Sequence, residues 1–456
     1  MIAPARRAAT EVLAAVDSGR WDLATALAQV HPTLPDTRDR ALLTELATGV
    51  LRWQLALDFI IHALTRRQPA DLDPDVRATM RLGLYQLQHA TRIPPSAVVN
   101  DAVEIVKRGP TRSAAGMVNA VLRRVLREGP PPLPGPPRVA DHHPEWRTQA
   151  LAWLAITHSH PAWLVERWLD RFGLEATEAW VRYDNVPAEV TLWPMPGRRD
   201  AGGGSQETGR VEVDGTPTRF VPGGSVLATG RDALPLIKDG VAYAQDEASA
   251  AVGVIAGTVG RGVVLDGCAS PGGKSLAMRP NLPADARQLA NDVRARRVAL
   301  LAATLARVPG RPIPIVRSDA RHLPFTGTID TLLVDAPCSG LGTLRREPDL
   351  RWRRSAADLP ALAALQRALI DEALQALAPD GRLVYATCSG EPEENEALVV
   401  EVLAARPDLR RLDLRQQPLP ETMAPLLTAE GALRTWPHAH GLDAFFAVVL
   451  QKTGAL

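Results

Sequence analysis

The chain is nearly without lysine. Of its 52 basic residues only Lys107, Lys238, Lys274 and Lys452 are lysines, so arginine is the default cation, and a lysine inside a glycine turn, as at 274, is not readily put down to composition. Cysteine is as scarce. Cys268, Cys338 and Cys388 stand far apart with no C-x-x-C pair, which argues against a disulfide framework or a zinc site and leaves free thiols in a reducing compartment. No stretch approaches the roughly 20 apolar residues needed to cross a bilayer, and the start lacks the basic region and apolar run of a secretory signal. A cytoplasmic, monomeric protein with no membrane anchor and no metal is expected. Surplus charge is missing too: the formal net charge is +1, so global charge alone does not announce a nucleic-acid partner.

What is present is an ordinary globular composition, 46% hydrophobic and 23% charged over 456 residues, a length that calls for two or three domains. Residues 4 to 127 carry apolar positions at helical spacing, such as Leu42, Leu43, Leu46 and Val50, then Leu55, Phe59, Ile60 and Leu64. Within this segment Lys107, Arg108, Arg112, Arg123, Arg124 and Arg127 follow one another with no acid between them, which forms either a basic face for nucleic acid or a plain solvated helix surface. The prolines of Gly129-Pro-Pro-Pro-Leu-Pro-Gly-Pro-Pro137 end the helical pattern and predict a semi-rigid linker. The expected division is an all-helical domain at 1–128, a linker at 129–142, a small α/β domain at 143–229 and a catalytic domain at 230–456. In the third part a helix is expected at Ala162–Phe172, extended pieces at 188–192 and 218–221, and a flexible loop at Gly202–Gly204.

After residue 251 short apolar runs alternate with helical stretches: Val263-Val-Leu-Asp266, Ile313 to Asp319, Thr331-Leu-Leu-Val-Asp335 and Arg382-Leu-Val-Tyr385. That alternation predicts a doubly wound α/β sheet, whose ligands sit at the carboxyl ends of the strands. The turn Asp266-Gly-Cys-Ala-Ser-Pro-Gly-Gly-Lys-Ser275 lets backbone approach a ligand closely. It is not a phosphate-binding P-loop, because Cys268 occupies the position where that motif needs its first glycine. Asp292, Asp319 and Asp335 close the next three expected strands. Acceptors there suit the ribose, adenine and amino groups of S-adenosylmethionine better than a hydride cofactor. Two cysteines follow strands as well, Cys338 in Asp335-Ala-Pro-Cys-Ser-Gly340 and Cys388 in Ala386-Thr-Cys-Ser389.

These residues carry a resemblance. Cys268-Ala-Ser-Pro-Gly-Gly-Lys274, Asn291-Asp292, Ser318-Asp-Ala-Arg321, Asp335 to Gly340, Arg345-Arg-Glu-Pro-Asp-Leu-Arg-Trp352 and Thr387-Cys-Ser-Gly-Glu-Pro-Glu-Glu-Asn-Glu396 together resemble the RNA 5-methylcytosine methyltransferases of the NOL1/NOP2/Sun type. The helical front, with Asn100 to Lys107 and Met117 to Arg124, is similar to the antitermination factor NusB and points within that family to enzymes of small-subunit ribosomal RNA. The resemblance implies that Cys268, Ala269, Ser270, Pro271, Gly272, Gly273, Lys274, Asp292, Asp319 and Asp335 bind S-adenosyl-L-methionine, that Cys388 is the nucleophile and that Cys338 helps release the product. Thiol chemistry supports such an arrangement: carbon 5 of cytosine is a poor nucleophile until a thiolate adds at carbon 6, and a base must later remove the carbon-5 proton. Chemistry alone leaves open which thiol attacks, since DNA cytosine methyltransferases use the proline-cysteine thiol.

Two departures from the family pattern stand out: Trp193-Pro194 after Thr191-Leu192, and Ala444 where a glycine is usual. Rival readings are a non-catalytic RNA-binding assembly factor, a methyltransferase of transfer RNA, and an exocyclic-amine methyltransferase. The last would need an Asn/Asp-Pro-Pro-aromatic turn where this chain has Asp335-Ala-Pro-Cys338.

Overall fold

The computed structural model describes residues 2–90, 92–197, 213–227 and 230–453; the expected glycine loop at Gly202–Gly204 lies outside them. Contacts divide the chain into two units, Met1–Val186 with Leu344–Ala356, and Pro187–Thr343 with Ala357–Leu456.

The first unit is helical. Proline opens the helices Pro4–Asp17, Pro74–His89 and Pro95–Arg108, at a position whose N–H would have no helical partner. Asp22 and Asp36 cap Leu23–Val30 and Thr37–Arg52 by accepting from Thr25 N and Arg38 N. Leu43, Leu46, Val50 and Ile60 of the helical pattern are buried in a single core with Leu42 and Leu64 packed against it, whereas Leu55 and Phe59 are half-buried outside it and Leu57 and Ile61 take the inward face of the second helix. The expected linker is tied down: Pro134 O accepts from Thr157 Oγ1 at 2.6 Å, and Arg138 N donates to Gln149 Oε1 at 2.9 Å. The helices Trp146–Ala152 and Ala162–Asn185 fall in this same contact unit, which ends at Val186. The second helix breaks at Gly173, where φ is 77°, one residue past the end expected from sequence.

The segment Leu344–Ala356 also belongs to this unit. Arg351 is fully buried and donates to the carbonyl oxygens of Arg52 and Ser159 at 3.0 Å and of Asp184 at 2.8 Å, and to Asn185 Oδ1 at 2.8 Å. Burial pulls its guanidinium down to about 9. With Trp352 Nε1 donating to Leu51 O at 2.7 Å, the Arg345–Trp352 motif is a packing element of the helical unit.

The second unit holds two sheets. In the smaller, β1 (Val190–Pro194), β2 (Thr216–Pro217), β3 (Ser225–Leu227) and β4 (Ala242–Ala244) run in the order β2-β3-β1-β4. The piece expected as extended at 218–221 is not a strand. Phe220 and Val221 give their N–H groups to the buried carboxylate of Glu247 at 2.5 and 2.8 Å, so no sheet partner receives them.

The larger sheet contains β5 (Val263–Asp266), β6 (Arg287–Asn291), β7 (Ile315–Val316), β8 (Ile329–Asp335), β9 (Leu377–Thr387), β10 (Leu409–Leu412), β11 (Leu433–Arg434) and β12 (Phe446–Lys452). Its order is β10-β12-β9-β8-β5-β6-β7, with β11 on β12. Strands β5 to β9 pair in parallel and β12 is antiparallel to its neighbours, so the doubly wound sheet is mixed. The run expected at 313–319 contributes only two paired residues, because Pro312 and Pro314 supply no donors on its approach; Asp319 therefore lies in the loop beyond β7. Among the described residues no helix is long and apolar enough to cross a membrane.

Candidate active site

From β5 the chain winds outward through β6 and β7 and then returns to β8 on the other side of β5. The loops after β5 and β8 therefore part company, and that crevice is where doubly wound sheets bind ligands. Asp266 ends β5 with no exposed surface. Ser275 Oγ donates to its Oδ2 at 2.6 Å, and its Oδ1 is buried without a hydrogen-bond partner. Burial pushes this carboxyl up to about 7 against the pull of the Ser275 hydroxyl.

The turn that follows is laced to the end of β6. Ala269 N donates to Asn291 O at 2.9 Å and Ser270 N to Asp292 Oδ2 at 3.2 Å. Arg297 clasps both sides, with Nη2 on Ser270 O at 2.7 Å and Nε 3.2 Å from Asp292 Oδ2. The Ser270–Pro271 peptide is cis and Gly272 has φ 113°. That conformation favours glycine, and a Cβ at this position would also fall 3.1 Å from Thr304 Cγ2. Asn291 joins the next loop: it donates to Gly267 O at 2.9 Å and Ser318 O at 3.2 Å and accepts from Ser318 Oγ at 2.7 Å. Asp319 beyond it is paired with Arg321, whose hydrogen bonds hold the carboxyl down at about 2.

Lys274 pairs with Asp335. Its Nζ lies 2.7 Å from Asp335 Oδ2; burial would lower the ammonium, but Asp335 outweighs it and the net shift is upward. Cys268, in the same turn, is pushed well up by burial and then by Asp266.

The other two thiols meet. Cys338 Sγ and Cys388 Sγ are 3.3 Å apart, at the carboxyl ends of the adjacent strands β8 and β9. Cys388 is held well above the ordinary thiol range, first by the hydrogen bond with Cys338 and then by burial, while Lys274 acts in the opposite sense. A close pair of this kind resists carrying two negative charges at once. The turns are built tightly: Gly342 N donates to Cys388 O at 3.0 Å, and a Cβ on Gly342 would fall 2.0 Å from Ala444 O. Ala444 is fully buried and is not among the positive-φ residues, so alanine at this family glycine position costs no backbone strain. Trp193 is likewise structural, buried with Nε1 donating to Gln245 O at 2.9 Å.

The structure thus gathers the glycine turn with Asp292, Lys274 with Asp335, and Cys338 with Cys388, and leaves Asp319 bound to Arg321. Asp266, Asn291 and Glu394 stood inside the motifs quoted from sequence but were given no role there. Asp266 was legible as a strand end, and Glu394 stood inside the Thr387–Glu396 motif, but no spacing signals that Glu394 reaches Ser339, 55 residues earlier.

The crevice is rich in acceptors. Asp266 Oδ1 has no donor, and Asp335, though paired, keeps 26% of its side chain exposed. Such a lining fits a ligand that brings hydroxyl and amino donors, as S-adenosylmethionine does. A mixed sheet of this order, a glycine turn after its central strand and this acceptor set define a Rossmann-like S-adenosylmethionine-dependent methyltransferase.

Comparison with known proteins makes the class specific. A family model described as 16S rRNA methyltransferase RsmB/F matches residues 258–451, and one described as the NusB family matches residues 3–127. The chain is 36% identical to a putative methyltransferase of Mycobacterium tuberculosis over 98% of this chain and 96% of that protein. It is 34% identical to the ribosomal RNA small subunit methyltransferase B of Pseudomonas putida, over 90% and 91%. The crystal structure of PH0851 superposes with TM-score 0.75 at 22% identity, covering 99% of this chain and all of that one, 100%, which extends the agreement in fold. The chain belongs to the RsmB/F family of S-adenosylmethionine-dependent RNA methyltransferases.

Proposed function

We propose that the protein methylates carbon 5 of a cytosine in small-subunit ribosomal RNA, with Cys388 as nucleophile and Cys338 as the group that frees the product. The observation that carries this reading is the pair of thiols 3.3 Å apart at the ends of β8 and β9. Cys388, as thiolate, forms a bond to carbon 6 and turns the ring into an enamine with a nucleophilic carbon 5. Bound S-adenosylmethionine supplies the electrophilic methyl group. Once the Cys388 charge is spent in that bond, Cys338 loses its proton to solvent and, as thiolate, takes the proton from carbon 5; the electrons of that C–H bond re-form the ring double bond and the Cys388 sulfur leaves carbon 6. One active thiolate suffices at each stage, which suits a pair that resists double ionisation.

In this reading residues 268–274 cradle the cofactor, Asp292 accepts its ribose hydroxyls, and Asp319 and Asp335 accept from its adenine and amino groups. Asp292 is already fixed for that task by Ser270 N and Arg297. Residues 1–128 supply RNA affinity. The side chains of Lys107, Arg108, Arg124 and Arg127 are 54 to 66% exposed, although the flanking acids Glu104 and Glu128 pair with them and temper the basic face. The protein acts as a monomer in the cytoplasm. Mapping 5-methylcytosine in ribosomal RNA from cells lacking the gene tests the substrate. One small-subunit cytosine should lose its methyl group and regain it when the gene is restored; an unchanged small-subunit map would overturn the assignment.

A further inference from the structure

We propose that Glu394 is a positioning residue that sets the separation of the two thiols by tying the turn after Cys338 to the turn after Cys388. This rests on the two-thiol reading above and deepens it.

Glu394 has no exposed surface. Its Oε1 accepts from Ser339 N at 2.8 Å and Gln366 Nε2 at 2.9 Å, and its Oε2 accepts from Ser339 Oγ at 2.5 Å and Ser389 Oγ at 2.6 Å. The two serine oxygens are 3.1 Å apart. Each serine directly follows its cysteine, so the tie lies one residue from each sulfur. Gln366 extends it to the residue before Cys338, donating to Pro337 O at 3.0 Å. Glu394 is itself anchored to β9, because Tyr385 Oη donates to its carbonyl oxygen at 2.7 Å.

The residue type follows from the partners. Four donors converge on one buried point, and an ionised carboxylate is an acceptor-only group with room for about four hydrogen bonds. Without them, burying the charge would be prohibitive. These bonds go to the two serines and to Gln366, so the influence of Glu394 on the sulfurs runs through Ser339 and Ser389. The geometry it protects is demanding: a misplacement of roughly 1 Å between reacting groups can cost about 100-fold in rate.

The test uses the full chain with Ser339→Ala, Ser389→Ala, Glu394→Gln and Glu394→Ala, alongside Cys338→Ala and Cys388→Ala. Thiol spacing is read without turnover, as the rate at which diamide converts Cys338 and Cys388 to a disulfide while being reduced to the hydrazine, followed by peptide mass spectrometry. Glu394→Ala should slow this crosslink at least about tenfold. Glu394→Gln should restore most of it, since its amide oxygen can still accept from Ser339 N and Gln366 and its NH2 can donate to both hydroxyls. Covalent RNA adducts on denaturing gels supply the second readout: Ser339→Ala, which loosens the Cys338 side, should accumulate adduct as a weaker copy of Cys338→Ala, and Ser389→Ala should form less. If Glu394→Ala does not fold, the two serine variants decide the crosslinking test, each slowing it. Wild-type crosslinking rates in the folded variants, or activity losses that merely follow their melting temperatures, would overturn the tie. A Cys338→Ala protein that accumulates no adduct would instead overturn the two-thiol reaction, while the crosslinking rate would still judge the role of Glu394 in spacing.

Discussion

Replacing Asp266 by asparagine should make the protein progressively more stable than wild type as pH rises from 5 to 8. Asp266 is sealed at the end of β5, and burial lifts its carboxyl from 3.8 to about 7 in spite of the Ser275 hydroxyl. Between those pH values the folded chain retains a proton that the unfolded chain releases. Stability attached to this group is therefore fully present below pH 3.8 and is lost as pH rises through 7. At about 1.4 kcal/mol per tenfold change in proton activity, the whole lift corresponds to roughly 4 kcal/mol, of which about 2.5 is lost above pH 5. Asparagine keeps the shape, can accept from Ser275 and does not titrate, so the gap between variant and wild type should widen by about 2.5 kcal/mol between pH 5 and 8. Urea unfolding of the cofactor-free protein, read by pulse hydrogen exchange in peptides covering β5 and β8, reports the unit that contains Asp266 and not the helical one. A gap that stays constant from pH 5 to 8 would show that Asp266 is ionised throughout and would refute the reasoning.

Asp292→Ala removes an acceptor that the turn holds in place and should weaken S-adenosylmethionine binding by about 10-fold or more, from the loss of a charge-assisted hydrogen bond; calorimetry giving equal affinity would remove Asp292 from the ribose assignment. Removing Arg123 and Arg124 together should lower RNA affinity and flatten its dependence on salt, by up to about one unit of log–log slope for each lost phosphate contact. Because Arg124 already pairs with Glu128, Arg123→Ala alone should account for most of the change, and an unaltered slope would mean that this helix face only meets solvent.

The parts of the fold that could be read in the sequence were those written in local pattern. Helical spacing located the Leu43-Leu46-Val50 stripe, and the apolar runs at 263–266 and 331–335 located β5 and β8 with their terminal aspartates. Features that depend on distant partners were not legible. The backbone around the proline run is held by side chains that come later in the chain, Gln149 on Arg138 N and Thr157 on Pro134 O. Phe220 and Val221 looked like strand residues, but a carboxylate 26 and 27 residues away takes their donors. At the site, the thiols could be named from their place after strands, and the resemblance supplied their roles. Glu394 was visible only as one acid in an acidic motif, because its partners come together through the pairing of β8 with β9.

Most directly at stake is the order in which the two thiols act, Cys388 in attack and Cys338 in release. Wild type, Cys388→Ala and Cys338→Ala are incubated with substrate RNA and S-adenosylmethionine, and the products are separated on a denaturing gel. Cys388→Ala should give neither methylated RNA nor a protein–RNA adduct while still binding cofactor, and Cys338→Ala should accumulate the adduct that wild type resolves. An adduct in Cys388→Ala and none in Cys338→Ala would contradict the account by assigning the attack to Cys338.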